Sequence, residues 1–183
     1  MANVTLRLLL IMVVAAILLG FTSTLTNAPI AAQEAENKTE MRKAVLEGAA
    51  EFEDLNLSSG QIQAVYLGKG AAGEEIGYVF ELSASGFGGP IGMSVGVKEG
   101  LISGVRIASH SETPGLGANA VAPGFLGQYE GKGGALSVSK AGSPGESEVL
   151  AITAATITSR AVTDGINEAL GYYEAQLKSR EGF

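Results

Sequence analysis

Residues 4–25 are apolar except for small hydroxyl side chains and Arg7, and residues 8–21 carry no charged or hydrogen-bonding side chain. A run of about 20 such residues suits a helix crossing a bilayer core, and Thr22, Ser23 and Thr24 can bond back to its backbone. Arg7 and the α-amino group precede the core of this run, while the flank after Leu25 is uncharged and then acidic. This distribution predicts residues 1–28 as a transmembrane anchor with a short cytoplasmic N-terminus and an extracytoplasmic remainder. A cleaved signal peptide is the competing reading, with the 14 strictly apolar residues as its core and Thr26-Asn27-Ala28 as its cleavage site.

The pattern then changes. Met41, Ala44, Val45, Ala49, Phe52 and Leu55 recur at helical spacing, which predicts a helical stalk over 29–56 leading into a domain over 57–183. Segments 62–67, 77–83, 91–97 and 101–109 alternate or run apolar between Gly- and Ser-rich stretches, as strands do. Lys98-Glu99-Gly100 has the composition of a hairpin turn. Near the C-terminus Ala161, Val162, Ile166, Ala169, Leu170, Tyr173 and Leu177 return at three- and four-residue steps with polar residues between. They predict an amphipathic helix beginning near Ser159, capped by Thr158 or Ser159 and weakened by Gly165 and Gly171. The fold class is α+β: a single N-terminal transmembrane helix, then one extracytoplasmic domain with an antiparallel sheet and a C-terminal amphipathic helix.

Composition narrows the chemistry. There is no Cys, and His110 is the only histidine, which excludes disulfides, Cys-ligated iron–sulfur clusters and Cys/His zinc sites. Any electron carrier is therefore organic and supplied from outside. Arg7 is the only basic residue before Lys38, leaving 11 Lys and Arg against 19 Asp and Glu, a net of −8, beyond it. That balance argues against nucleic acid as a partner and for an acidic, soluble exterior.

Three segments stand out from ordinary connectors. In Ser85-Gly86-Phe87-Gly88-Gly89-Pro90-Ile91-Gly92, clustered glycines let backbone approach a flat ligand, with amides to donate to its edge; a wide hairpin loop is the plain alternative. In His110-Ser111-Glu112-Thr113-Pro114-Gly115-Leu116-Gly117, Pro114-Gly115 signals a type II turn, Leu116 is suited to rest on a ring face, and Glu112 and Thr113 supply polar contacts. In Thr153-Ala154-Ala155-Thr156-Ile157-Thr158-Ser159-Arg160, hydroxyls cluster at the start of a helix, where backbone N–H groups and the dipole favour a phosphate. A capped helix and nothing more is the plain alternative there.

Together these three segments resemble the FMN-binding domain family of membrane redox complexes. The family is shared by the G subunit of the Rnf ion-translocating ferredoxin:NAD oxidoreductase and the C subunit of the sodium-pumping NADH:quinone reductase. The resemblance covers essentially the whole chain, and Ser111–Gly117 is its most specific part. It implies FMN joined through its phosphate to Thr156, the last residue of a Ser/Thr-Gly-Ala-Thr motif, by a flavin transferase. Thr153 and Ala155 hold the first and third motif positions. Two residues depart from the pattern: Ala154 replaces glycine, and Leu150 stands where an aspartate often precedes the motif. The implied site comprises Thr156, Thr153, Ala155 and Ser159 around the phosphate, with Gly88, Gly89, Glu112, Thr113, Gly115, Leu116 and Gly117 enclosing the ring. The implied function is electron transfer inside a multi-subunit membrane complex that drives ion transport. The rival readings are an anchored binding or scaffold module without a cofactor, and an oxidoreductase holding FMN non-covalently.

Overall fold

The computed structural model describes residues 2–140 and 142–179, with side chains outside 1–4 and 22–35. The chain divides into two compact units, Met1–Thr39 and Glu40–Phe183. Helix α1 spans Ala2–Val45. Within the first unit, the described side chains of residues 5–21 are all exposed, Leu6, Leu10, Ile11, Ile17 and Phe21 among them. Among the described residues no helix is long and apolar enough to cross a membrane. Part of the predicted span, Val4 and residues 22–25, has side chains outside the described set.

The second unit is built on a five-stranded antiparallel meander in the order β1-β2-β3-β4-β5. Its strands are β1 Glu51–Asp54, β2 Ile62–Lys69, β3 Glu75–Ser85, β4 Pro90–Lys98 and β5 Leu101–Ser109. The period of two expected of a sheet decides which face each residue serves. Tyr78, Phe80, Leu82 and Ala84 on β3, and Ile91, Met93, Val95 and Val97 on β4, enter the main core. The intervening Val79 joins a small cluster on the opposite face with Val45, Leu46 and Ala49. Lys98 pairs with Leu101 across a two-residue turn, and Glu99 and Gly100 both take positive φ, 54° and 78°, as a type I′ hairpin requires.

Helix α3, Thr156–Tyr172, continues as a π turn through Leu177 and covers the main-core face. It buries Val162, Ile166, Ala169 and Leu170 with Tyr173 and Leu177 beyond them, and Tyr78 and Tyr173 meet at 6.0 Å between ring centroids. Gly165 faces the same surface, where a Cβ would make an ordinary 3.4 Å contact with Ala84 Cβ. Between β5 and α3 come a 3-10 turn, Gly117–Val121, a short helix α2, Pro123–Leu126, and a small parallel pair, β6 Ser137–Ser139 with β7 Glu148–Leu150. This parallel pair is an addition to the all-antiparallel expectation.

The predicted stalk needs correction. The helix stops at Val45, and Ala49, Phe52 and Leu55 belong to the sheet side of the chain, with Phe52 on β1 opposite Gly68. Gly48, at φ 90°, turns the chain out of the helix in the left-handed conformation that commonly ends one. The end of α1 is then held down. Arg42 donates from Nε (2.9 Å) and Nη2 (2.7 Å) to Glu81 Oε1, with its guanidinium 3.7 Å over the Tyr66 ring. Ser103 Oγ donates to Val45 O at 2.6 Å. Two cross-strand glycine pairs, Gly68 with Gly77 and Gly96 with Gly104, form the seat for Val45 and Leu46. These four glycines lie inside strands, where the missing Cβ lets the end of α1 approach the sheet.

Candidate functional site

The three unusual segments converge at one end of the sheet. The first is the hairpin loop between β3 and β4, where Ser85 pairs with Pro90 and Gly86 N donates to Gly89 O at 2.9 Å. The second follows β5. There Leu116 N donates to Thr113 O at 3.2 Å around Pro114-Gly115, and Gly115 sits at φ 78°, as a type II turn demands. The third leads from β7 into α3 by a turn in which Ala155 N donates to Ile152 O at 3.0 Å.

Between them lies a cleft of about 380 Å³, within the usual range for a small-molecule site of roughly 300–1,000 Å³. Glu112, Thr113, Leu116 and Gly117 line one side, Ala154 to Thr158 the other, and Phe87 stands at the edge. Five described large hydrophobics beyond Phe21 are exposed, and three of them line this cleft: Phe87 at 69 %, Ile157 at 56 % and Leu116 at 42 %. Exposed apolar side chains gathered on one concavity, rather than scattered singly, mark a surface that something covers.

The start of α3 supplies the polar side. Its N-cap is Ala155, which offers no side-chain acceptor, so the orphan N–H groups of the first turn keep their capacity to donate. The predicted caps do other work. Thr158 Oγ1 donates to Glu112 Oε2 at 2.8 Å. Ser159 Oγ donates to Ala155 O and accepts from Ile152 N, both at 3.0 Å, and the residue is wholly buried. Neither caps the helix, because it begins at Thr156, about three residues earlier than the hydrophobic pattern indicates. Behind Ser159 the network continues through Thr163 Oγ1, which donates to Ser159 O at 2.9 Å and lies 2.8 Å from the Tyr129 hydroxyl. Burial pushes the Tyr129 phenol far above its ordinary value, so it stays protonated and structural.

The predicted site residues therefore divide. Thr156, Ala155, Glu112, Thr113, Leu116 and Gly117 line the cleft together. Thr153 is exposed on the preceding turn, Gly115 forms the tip of its own turn, and Ser159 is buried behind the helix start. Gly88 and Gly89 pack against Ser111. The Gly88 amide, expected to face a ligand, donates to Glu112 Oε1 at 3.0 Å. Phe87, Ala154, Ile157 and Thr158 are lining residues absent from the predicted set. An apolar residue placed between glycines or hydroxyls was the available signal for Phe87 and Ile157.

Ala154 occupies φ 60°, the left-handed region that costs a Cβ-bearing residue about 1 kcal/mol. Glycine takes this conformation freely. Ala154→Gly is accordingly expected to stabilise the domain by about 0.5 kcal/mol, net of the greater freedom glycine has when unfolded, as an upward shift of the urea midpoint. Leu150, the other departure, is fixed in β7, where its N donates to Gln128 Oε1 at 2.8 Å and its O accepts from Gln128 Nε2 at 3.3 Å.

Comparison with known proteins places this geometry. Residues 86–171, which include all three cleft segments but for Ser85, match the FMN-binding domain family. The chain is 34 % identical to the G subunit of the Na+-translocating ferredoxin:NAD+ oxidoreductase complex of Acetobacterium woodii, over 91 % of this chain and 88 % of the relative. The crystal structure of the C subunit of Na+-translocating NADH-quinone reductase from Parabacteroides distasonis superposes with a TM-score of 0.51 at 27 % identity, over 61 % of this chain and 60 % of that one. The G subunit of the ion-translocating oxidoreductase complex of Methanosarcina acetivorans is 36 % identical over 95 % of both chains. The protein belongs to the G-subunit family of ion-translocating oxidoreductase complexes, and its cleft lies in the family's FMN-binding domain.

Proposed function

We propose that this protein is an electron-transfer subunit of a membrane-bound, ion-translocating redox complex, carrying FMN joined through its phosphate to Thr156. One observation supports the attachment site above others. Thr156 is half-exposed, opens α3 and lines a cleft of FMN-compatible size, with an uncapped helix N-terminus beside it. A phosphate at that position meets backbone donors and the positive end of the helix dipole. Phe87, Leu116 and Ile157 give the isoalloxazine ring apolar walls and limit its contact with water.

FMN supplies the one- and two-electron chemistry when bound; the chain holds, orients and shields it. That division of labour agrees with the lack of Cys and the single His. A flavin transferase makes the threonine–phosphate bond: the Thr156 oxygen gives up its proton and displaces the leaving group from the phosphorus of an activated flavin nucleotide. The N-terminal helix is the anchor: exposed apolar side chains through residues 6–21, with Arg7 near the start, favour a single pass with the N-terminus in the cytoplasm. Anchoring keeps the flavin at high effective concentration near the other members of the complex.

The test is the mass and colour of the full chain made with the transferase. The expected product exceeds the unmodified chain by one FMN less one water and fluoresces as flavin in a denaturing gel. A protein that is yellow when native and colourless after denaturation would replace the covalent reading with a non-covalent one. A colourless chain of unmodified mass would defeat the flavin reading altogether.

A further inference from the structure

The cleft contains one charge, and hydrogen bonding alone does not require it. Residues 82–97 and 149–159 carry no charged side chain, and residues 111–129 carry only Glu112. Glu112 is 6 % exposed. Its Oε1 accepts from Gly88 N at 3.0 Å and its Oε2 from Thr158 Oγ1 at 2.8 Å, so one side chain ties the hairpin loop to the first turn of α3. The carboxylate's own loop closes around it: a Cβ on Gly117 would lie 2.7 Å from Thr158 Oγ1 and 3.0 Å from Glu112 Cβ. The glycines of the cleft thus make room for this carboxylate.

Burying a carboxylate is costly even when it is hydrogen-bonded. A glutamine could make both contacts, its carbonyl accepting from Gly88 and its amide donating to a rotated Thr158 hydroxyl. What glutamine lacks is the negative charge. We propose that Glu112 is a positioning and tuning residue: it clasps Gly88 to Thr158, and its fixed negative charge lowers the reduction potential of the flavin in this cleft. This rests on the placement of FMN proposed above. Reduction brings two electrons from a donor and one proton from solvent to the flavin, a net gain of one negative charge. A carboxylate lining the same low-dielectric cleft opposes that gain. One unit charge acting over about 10 Å at an effective dielectric near 20 changes the reduction equilibrium on the order of tenfold.

The experiment compares wild type with Glu112→Gln, Thr158→Val and Thr113→Lys, each a full chain flavinylated by the transferase and titrated with redox dyes. Glu112→Gln is expected to keep its fluorescent band after denaturation and to favour reduction about tenfold, some 30 mV upward for a two-electron couple. Thr158→Val breaks the clasp but keeps the charge; its stability falls and its potential does not rise. Thr113→Lys, an exposed substitution on the cleft wall, offsets the charge without disturbing the clasp and shifts the potential upward. An unchanged potential in Glu112→Gln, or in Thr113→Lys if Glu112→Gln does not fold, overturns the proposal. So does an equal rise in Thr158→Val, which would assign the effect to the clasp. Absence of a flavin band in wild type would instead defeat the attachment reading, so the two failures are distinct.

Discussion

Thr156→Val is expected to leave the domain folded and remove all covalently retained flavin. The segment offers four hydroxyls to a flavin transferase, and their environments separate them. Thr158 is engaged by Glu112, and Ser159 is buried between Ile152 N and Ala155 O. Thr153 is exposed but stands on the turn before the cleft and is not among its lining residues. Thr156 lines the cleft, and among the described residues its hydroxyl makes no hydrogen bond within the protein. Valine matches threonine in shape at this first helical position, so the stability change should stay within about 0.5 kcal/mol. The measurement is in-gel flavin fluorescence after denaturation, with Thr153→Val as the companion. The expected result is no band for Thr156→Val and full intensity for Thr153→Val. A band retained in Thr156→Val and lost in Thr153→Val would move the attachment to Thr153.

Much of this arrangement was legible from residue patterns. Period-two burial on β3 and β4 is written in the order Tyr78-Val79-Phe80 and Ile91-Gly92-Met93, and the Glu99-Gly100 and Pro114-Gly115 turns follow from their composition. The three cleft segments were each visible as departures from ordinary loops. What stayed hidden depends on local backbone geometry that residue types leave open and on contacts distant in sequence. The spacing of Ala49, Phe52 and Leu55 fits a helix equally well; only Gly48 hinted that the helix ends at Val45. Strands of three or four residues, such as β1, β6 and β7, carry too little periodicity to be read. The loop glycines looked like ligand-facing backbone, yet Gly86 and Gly88 close on Glu112 and Ser111, which belong to a different loop. Ala154 looked like a mild replacement for glycine, and only its φ of 60° reveals strain. The early start of α3 likewise followed from the turn at Ile152–Ala155, not from the helix's apolar stripe.

Gly96→Val is expected to cost the domain about 3 kcal/mol, although valine is among the best residues for a strand. A Cβ on Gly96 would lie 2.7 Å from the carbonyl carbon of Val45 and would also meet Val45 O and Ser103 Oγ. Backbone atoms at the end of a helix cannot rotate aside as a side chain can, so the end of α1 must lift from the sheet. Lifting exposes Val45 and Leu46, each 1 % exposed, which together contribute on the order of 3–5 kcal/mol of burial. It also breaks the bond from Ser103 Oγ to Val45 O and loosens Arg42 from Glu81 and Tyr66. The gain in strand propensity, up to about 1 kcal/mol, offsets only part of this. Against a typical stability of about 5–15 kcal/mol the loss is large, and the urea midpoint should fall accordingly. Limited proteolysis gives an independent reading, because Arg42 and Lys43 are tryptic sites at the seated end of α1. Cleavage there should be slow in wild type and rapid in Gly96→Val. A variant with an unchanged midpoint and the wild-type cleavage rate would show that the two glycine pairs are not what seats the helix on the sheet.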